Sequence, residues 1–171
     1  MSKSLGNIVD PKLLADNYGP SAFRYYMMRD IVMGRDADFN EERLITRYNT
    51  ELSNGLGNLV QRTLSMVHRY RNGVPKNVTL PDFCEAHVQT DLASVKEYCE
   101  QMENSQVHAA LETTVNLLYR ANAFVDTTAP WKLAKDSTAA DQLDAVLTTL
   151  LQSARVAATL LQPIIPTAAE E

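Results

Sequence analysis

The chain has 171 residues, 45% of them hydrophobic, and a formal net charge of −5 at pH 7. These values are typical of one compact globular domain, with at most a short appendage, and do not indicate a disordered chain. The negative charge argues against non-specific coating of nucleic acid, which needs many basic contacts on one surface, but it permits a local contact with unpaired RNA bases. The sequence has no run of about 18 apolar residues and no signal-peptide core, so we expect a cytoplasmic protein with no membrane partner.

The first forty residues contain two short predicted helices. Residues 1–10 are polar and contain glycine, which is typical of a loop. Asp10 followed by Pro11 is a strong start signal, because an aspartate side chain caps free amides and proline suits the first helical position. A second helix is expected from Ser21 to about Ile31, and residues 32–40 are expected to be irregular.

The longest helical pattern runs from Glu41 to Arg71. Asn40 is a candidate cap for its first turn, and Asn72 and Gly73 supply the left-handed backbone that ends many helices. Its apolar side chains recur at steps of three and four and predict a buried stripe at Ile45, Tyr48, Leu52, Leu56, Leu59, Met66 and Tyr70.

The opposite face of this helix is polar, and on it Asn58 and Arg62 lie one turn apart. An amide beside a guanidinium offers donors and an acceptor suited to the edge of a base, although a strip of this kind more often only faces solvent. Gly55 and Gly57 weaken the helix and predict either a bend or the close approach of another helix.

The remainder of the chain predicts further helices joined by short connections. They are expected over residues 83–103 (or from 91), 106–128 and 137–162, the last opened by Ser137 or Thr138 with Asp141 completing a capping box and ended by the prolines at 163 and 166. No strand pattern is evident. The predicted fold class is therefore an all-α bundle.

Trp131 follows a helix-stopping proline and precedes two basic residues, Lys132 and Lys135. Two interpretations are open. It is either a stacking platform for an RNA base or a core residue that closes the bundle, and the local context favours the core because large aromatic side chains usually serve packing.

A small zinc site formed by Cys84, His87, Cys99 and His108 is an alternative. It lacks a paired Cys-x-x-Cys motif, and buried thiols explain the cysteines equally well, so we expect no metal. A bridge between Cys84 and Cys99 would need an oxidising compartment, which nothing in the sequence indicates.

Four segments occur in an order that resembles class I methionyl-tRNA synthetases: MSKSLGN, DPKLLADNYGPSAFRYYMMRD, DADFNEERLITRYNTELSNGLGNLVQR and APWKLAK. The resemblance spans essentially the whole chain. It implies a remnant of the Lys-Met-Ser-Lys-Ser (KMSKS) loop and a connecting, stem-contact segment over residues 1–40, followed by an α-helical anticodon-binding domain over residues 41–171. The family's N-terminal catalytic domain would precede residue 1.

In that family the second lysine of the KMSKS loop, matched here by Lys3, stabilises the phosphates of ATP while methionyl-adenylate forms. The resemblance therefore implies a parent methionine-tRNA ligase that uses ATP. We expect no bound cofactor and no adenylation by this chain without the catalytic domain.

The resemblance also assigns the candidate site. Asn58 and Arg62 match the family's residues that hydrogen-bond the first anticodon base, a cytosine, and Trp131 matches the tryptophan that stacks on it, which reverses the interpretation from local context. The implied partner is the tRNA for methionine, with its CAU anticodon. The alternative is a structural or interaction bundle that binds no RNA by itself.

Overall fold

A computed structural model describes residues 10–170 of the chain. Within that range every regular element is helical, which confirms the predicted all-α class. The elements are α1 (Pro11–Tyr18), α2 (Pro20–Asp30), α3 (Glu41–Arg47), a π-helical segment (Tyr48–Gly57), α4 (Asn58–Arg71), α5 (Asp82–Glu103), α6 (Val107–Thr128), α7 (Pro130–Leu133), a 3-10 turn (Ser137–Ala139), α8 (Ala140–Leu161) and α9 (Pro166–Glu170). None of these helices is long and apolar enough to cross a membrane.

The predicted helix signals at Asp10, Asn40 and Asn72 are confirmed. The Asp10 carboxylate accepts from the Lys12 amide at 2.9 Å, and the Asn40 side chain accepts from the Arg43 amide at 2.9 Å. Asn72 ends α4 in the left-handed conformation with φ of 50°. Each of these side chains or backbone turns satisfies groups that a helix end leaves free.

The predicted cap of the last helix is wrong. Asp136, and not Ser137 or Thr138, makes the capping contact: its carboxylate accepts from the Thr138 amide at 2.9 Å and from the Thr138 hydroxyl at 2.7 Å. Thr138 is therefore a donor to the preceding residue and does not itself cap. The 3-10 turn that results leads directly into α8.

The core of the bundle lies between α5, α6 and α8: leucine and alanine side chains of α6 and α8 pack there against Cys84 and Tyr98 of α5. Leu117 and Leu118 of α6 and Leu150 of α8 are completely or almost completely buried. Helix α2 adds Tyr25 to a second core cluster with Leu111 of α6. The connecting segment therefore shares the core of the bundle.

The middle of the predicted long helix is π-helical, and the predicted buried stripe is displaced there. Ile45 and Tyr48 are exposed, and the buried seam instead runs along one line of residues: Leu44, Glu51, Gly55, Leu59, Thr63 and Val67. The wider π turn changes which residues share a face, because its hydrogen bonds span five residues and not four. The apolar pattern did not predict this seam, because the seam includes Glu51, Gly55 and Thr63, which are not apolar side chains.

Gly55 is in contact with α6. A methyl group at its Cα would lie 3.6 Å from Leu118 Cδ1, and the Asn122 side chain donates from Nδ2 to the Gly55 carbonyl at 3.0 Å. Of the bend or close approach predicted for the glycines, the structure shows contact with another helix at Gly55, at ordinary van der Waals distance. A side-chain donor inserted at a helix carbonyl is a recognised cause of irregular helical turns.

Candidate nucleic-acid interface

The Arg62 and Trp131 side chains line one open cleft of about 370 Å³, together with Gln61, Ser65, Met66 and Tyr70. Asn58 lies one turn before Arg62, at the first position of α4, and lines a neighbouring groove. Gln61 lines both cavities. The structure therefore brings two of the three candidate residues into one cleft and places the third on the same helix beside it.

Trp131 is held outward by the backbone around it. Helix α6 ends at Ala129, which adopts a left-handed conformation with φ of 43°, and the buried Pro130 then opens the short helix α7. On this turn Leu133 packs inward against the cluster around Val67, while Trp131 remains 38% exposed. The core role favoured by local context is therefore wrong, because proline and leucine fill the interior positions of the turn.

Arg62 is paired with a residue that the sequence analysis did not identify. Its Nη2 atom lies 2.6 Å from Oδ1 of Asp126 in the last turns of α6. One of the five guanidinium N–H donors is used in this contact, and the others remain available to a ligand. The ion pair thus favours one orientation of the Arg62 guanidinium at the mouth of the cleft.

Three exposed lysine and arginine residues lie within four positions of Tyr70 or Trp131, which line the cleft. Arg69, Lys132 and Lys135 are exposed and form no ion pair with any described residue. The Arg69 guanidinium lies over the Tyr70 ring, 5.7 Å from its centroid. An aromatic cleft with a basic margin is an arrangement that suits a single-stranded nucleic acid, since bases stack on the ring and cations meet the phosphates.

The helix that carries Asn58 and Arg62 is anchored below the cleft by a buried ionic cluster. Glu51 accepts from the Tyr25 hydroxyl at 2.7 Å and from Arg47 Nη1 at 2.8 Å, and Arg47 also donates to Asp30 at 2.9 Å. Burial, and then the Glu51 charge and hydrogen bond, raise the pKa of Tyr25 far above its usual range. These contacts attach α2 to the π-helical segment and so set the position of α4.

The proposed zinc ligands do not come together. Among residues 10–170 no three His, Cys, Asp or Glu side chains are placed to hold a metal ion. Cys84 is buried and Cys99 is exposed, and both are free thiols. His87 packs its ring on Phe124, with centroids 4.3 Å apart, and burial lowers its pKa.

Lys3, the remaining candidate, lies outside the described residues. Asp126 and Asn122 had no signal in the sequence because their partners are 64 and 67 positions away. Gln61 lies one turn after Asn58 on the predicted helix, and an inspection of its full exposed face would have included it. Tyr70 was assigned to the buried stripe, but the structure leaves it partly exposed at the cleft.

Two family models cover most of the chain. Residues 1–64 match the model described as tRNA synthetases class I (M), and residues 74–171 match the anticodon binding domain of methionyl tRNA ligase. The second match extends from the connection before α5 to the end of the chain. The boundary between the two models falls near the C-terminal half of α4, close to the cleft.

Curated relatives agree with these models. The chain is 42% identical over 169 residues to a methionine–tRNA ligase of Listeria monocytogenes and 40% identical over 169 residues to that of Bacillus subtilis. In both cases the match covers 96% of this chain and 25% of the relative. The chain thus spans about a quarter of the length of the curated relatives it matches.

Solved structures show the same architecture. Mycobacterium tuberculosis methionyl-tRNA synthetase bound by methionyl-adenylate superposes with a TM-score of 0.92 at 37% identity, over 99% of this chain and 34% of that one. Its apo form gives a TM-score of 0.89 at 35% identity, over 95% and 34%. The chain belongs to the family of methionyl-tRNA ligase anticodon-binding domains.

Proposed function

We propose that this chain binds the anticodon loop of the tRNA for methionine and holds the first anticodon base, cytosine, in the cleft between Arg62 and Trp131. The observation that carries the proposal is the shared cleft: an exposed indole face and a guanidinium with free donors line the same cavity. Stacking contributes about 1–3 kcal/mol per base and does not select among bases, so selection falls to the polar side chains.

Arg62 and Asn58 are the selecting residues in this proposal. Cytosine presents a carbonyl oxygen and a ring nitrogen as acceptors beside an amino donor on its pairing edge. The free N–H groups of Arg62 complement the acceptors, and the Asn58 side chain, exposed and without a hydrogen bond to another described residue, offers both a donor and an acceptor. A uracil or a purine at this position would leave at least one of these groups unpaired.

For the complete ligase we propose activation of methionine with ATP, followed by transfer to the tRNA that this bundle recognises. Lys3 would supply a cation to the ATP phosphates there, as its match to the family loop implies. ATP–pyrophosphate exchange dependent on methionine should appear only when the chain is joined to a catalytic domain. ATP–pyrophosphate exchange by the 171-residue chain alone would contradict the proposal that activation of methionine requires the catalytic domain.

The test of anticodon binding uses 17-nucleotide hairpins that carry CAU or a loop with the first base changed to uracil. Fluorescence anisotropy should give tighter binding of the CAU hairpin by the unmodified chain. Arg62→Ala should reduce that preference by about tenfold or more, since a lost bidentate contact costs about 1–3 kcal/mol. Arg69→Ala is the matched control on the same helix and should weaken both hairpins alike.

A bundle that serves only as a structural or interaction module would behave differently. It would show native helical circular dichroism and bind neither hairpin at physiological salt. That result would overturn the proposed function of this chain.

A further inference from the structure

The Arg71 guanidinium joins the end of α4 to the start of α8. Its Nη1 atom donates to the carbonyl of Tyr70 at 2.8 Å, and its Nη2 atom donates to the carbonyl of Ala140 at 3.0 Å. Its Nε atom donates to Oδ1 of Asp144, which also accepts from the Lys76 amide at 3.1 Å. One side chain therefore ties together the last turn of α4, the start of α8 and the connection that follows α4.

The Arg71–Asp144 pair is largely buried. The Asp144 side chain is 1% exposed and the Arg71 side chain is 20% exposed. The second carboxylate oxygen of Asp144, Oδ2, is buried and has no hydrogen-bond partner among the described residues. Desolvation of a buried ion pair offsets much of its attraction, and an unbonded carboxylate oxygen adds to that cost. Packed apolar side chains would serve stability equally well, so the pair is better explained by the geometry that it imposes.

The two helices that this pair joins support the cleft. Met66 and Tyr70 of α4 line the cleft, and Trp131 lines it from α7. Leu133 of α7 packs with Met66 and Tyr70 on buried side chains of α4 and α8. Because α7 has only four residues, its orientation depends on the two helices that it packs against. The separation of α4 and α8 therefore sets where Trp131 lies relative to Arg62.

We propose that Arg71 and Asp144 are positioning residues for base recognition: they hold the end of α4 against the start of α8 and so keep Trp131 and Arg62 in the arrangement that receives the base. The described residues that line the cleft include neither Arg71 nor Asp144, so the two act through other side chains. This inference rests on the proposed function. A cleft that is ordered before binding loses less conformational entropy when RNA binds, which raises the affinity.

The test compares Asp144→Asn, which keeps the shape of the side chain and removes its charge, with Asp91→Asn. Asp91 is the matched control, because it is also a buried aspartate bonded to α8, through Ser153 Oγ at 2.6 Å, and lies outside the cleft lining. Arg71→Lys is a second variant of the pair, since lysine keeps the positive charge but lacks the planar set of donors that reaches two carbonyls and a carboxylate together. Urea denaturation gives the stability of each variant, and binding is measured where every variant is fully folded.

Two readouts report on the cleft: the affinity for the CAU hairpin and the uracil hairpin, and acrylamide quenching of Trp131, the only tryptophan, in the chain without RNA. Asp144→Asn should bind the CAU hairpin about five- to tenfold more weakly, since one or two side chains must then be ordered on binding. Its preference for cytosine should fall, and the quenching of Trp131 should rise. Arg71→Lys should show the same effects, whereas Asp91→Asn should lower stability and leave both readouts as in the unmodified chain.

Affinities within about twofold of the unmodified chain, with unchanged quenching, in Asp144→Asn and Arg71→Lys would overturn the positioning role and leave the proposed function in place. If Asp144→Asn does not fold, Arg71→Lys decides between the same two results. Equal losses in Asp91→Asn would also overturn the positioning role, because the effect would then follow stability and not the arrangement of the cleft. Failure of the unmodified chain to bind any hairpin would overturn the proposed function and this inference with it.

Discussion

Arg62 donates to Asp126 at 2.6 Å, and this contact joins α4 to the last turns of α6 beside the only tryptophan of the chain. The two side chains are 30% and 64% exposed, so the pair is only partly shielded from solvent. Its contribution to stability is therefore small, at most about 1 kcal/mol. Its main effect is geometric: it favours one orientation of the guanidinium at the cleft and places a negative charge beside it.

Asp126→Ala should lower first-base discrimination and at the same time strengthen the binding of non-cognate hairpins. Arg62 loses its orienting partner, and a carboxylate that repels RNA phosphates is removed. The melting temperature should change by only a few degrees. Binding of the cytosine and uracil hairpins to the variant checks this.

Glu112→Ala is the control for that experiment. Glu112 is a carboxylate on the same helix with similar exposure, paired to Arg29 at 3.7 Å and remote from the cleft. Its removal should leave discrimination unchanged. An equal change of first-base discrimination in Asp126→Ala and Glu112→Ala would mean that Asp126 acts only through the net charge of the protein.

Gly55→Ala should keep or raise the free energy of unfolding, by up to about 1 kcal/mol. The new methyl group would lie 3.4 Å from the Thr50 carbonyl oxygen and 3.6 Å from Leu118 Cδ1, which is ordinary contact. Gly55→Leu has no such room and should cost about 1–3 kcal/mol through overpacking against α6. Urea denaturation measures both variants.

Gly57→Ala is the matched control, because a methyl group there meets only the Leu52 carbonyl oxygen, at 3.5 Å. A loss of more than about 2 kcal/mol in Gly55→Ala, a cost typical of overpacking, would show that α6 lies closer to the π-helical segment than described.

Glu51→Ala should lower the free energy of unfolding by about 3 kcal/mol, the lower end of the cost of breaking a buried ion pair. The cost stays at that end because Arg47 keeps Asp30 and Arg29 keeps Glu112 as partners. Tyr25→Phe removes one hydrogen bond to the same carboxylate and should cost about 1.5 kcal/mol, the lower end for a hydrogen bond to a charged group. Chemical denaturation of the two variants distinguishes the ionic cluster from the single bond.

We propose that the chain divides into a connecting segment, residues 1–40, and a bundle, residues 41–171. The contacts of Tyr25 with Glu51 and with the core link these two parts. Because Tyr25 packs with Leu111 in the core, a chain that starts at residue 41 should melt at a lower temperature than the full chain.

Equal losses of unfolding free energy in Glu51→Ala and Tyr25→Phe would show that the arginines of the cluster are solvated.

His87 should make the stability fall as the pH is lowered from about 8 to 5. Burial holds the pKa of His87 below its ordinary value of 6.5, the Arg120 charge lowers it further, and the Asp91 carboxylate partly opposes both. The folded protein therefore binds a proton at this ring less readily than the unfolded chain. The stabilising contribution of neutral His87 is fully present above the ordinary histidine pKa and is lost progressively as the pH falls below it.

Melting temperatures of His87→Asn across this range should show a smaller slope with pH than those of the unmodified chain. His68→Asn, which removes an exposed histidine of α4, is the control and should keep the original slope. An unchanged slope in His87→Asn would assign the pH dependence to other groups.

Local signals identified much of this fold. Asp10, Asn40 and Asn72 act within two to four residues of themselves, so their roles can be read from short stretches of sequence. The polar face with Asn58 and Arg62 was also visible, because it depends only on helical periodicity.

What escaped prediction depends on contacts between distant parts of the chain. Asn122 reaches the Gly55 carbonyl across 67 positions and Asp126 reaches Arg62 across 64, and no spacing rule connects such pairs. The π-helical turns also moved the buried seam onto Glu51 and Gly55, residue types that a hydrophobic pattern ignores. Trp131 shows the same limit, since its exposure follows from how Pro130 and Leu133 pack.

Indole fluorescence gives the most direct test of base recognition in the cleft, because Trp131 is the only tryptophan. The chain is titrated with the CAU hairpin and with one whose first anticodon base is changed. The account predicts quenching by the CAU hairpin at lower concentration, and loss of that difference in Arg62→Ala. Unchanged fluorescence with both hairpins, from a chain that is helical by circular dichroism, would contradict stacking on Trp131.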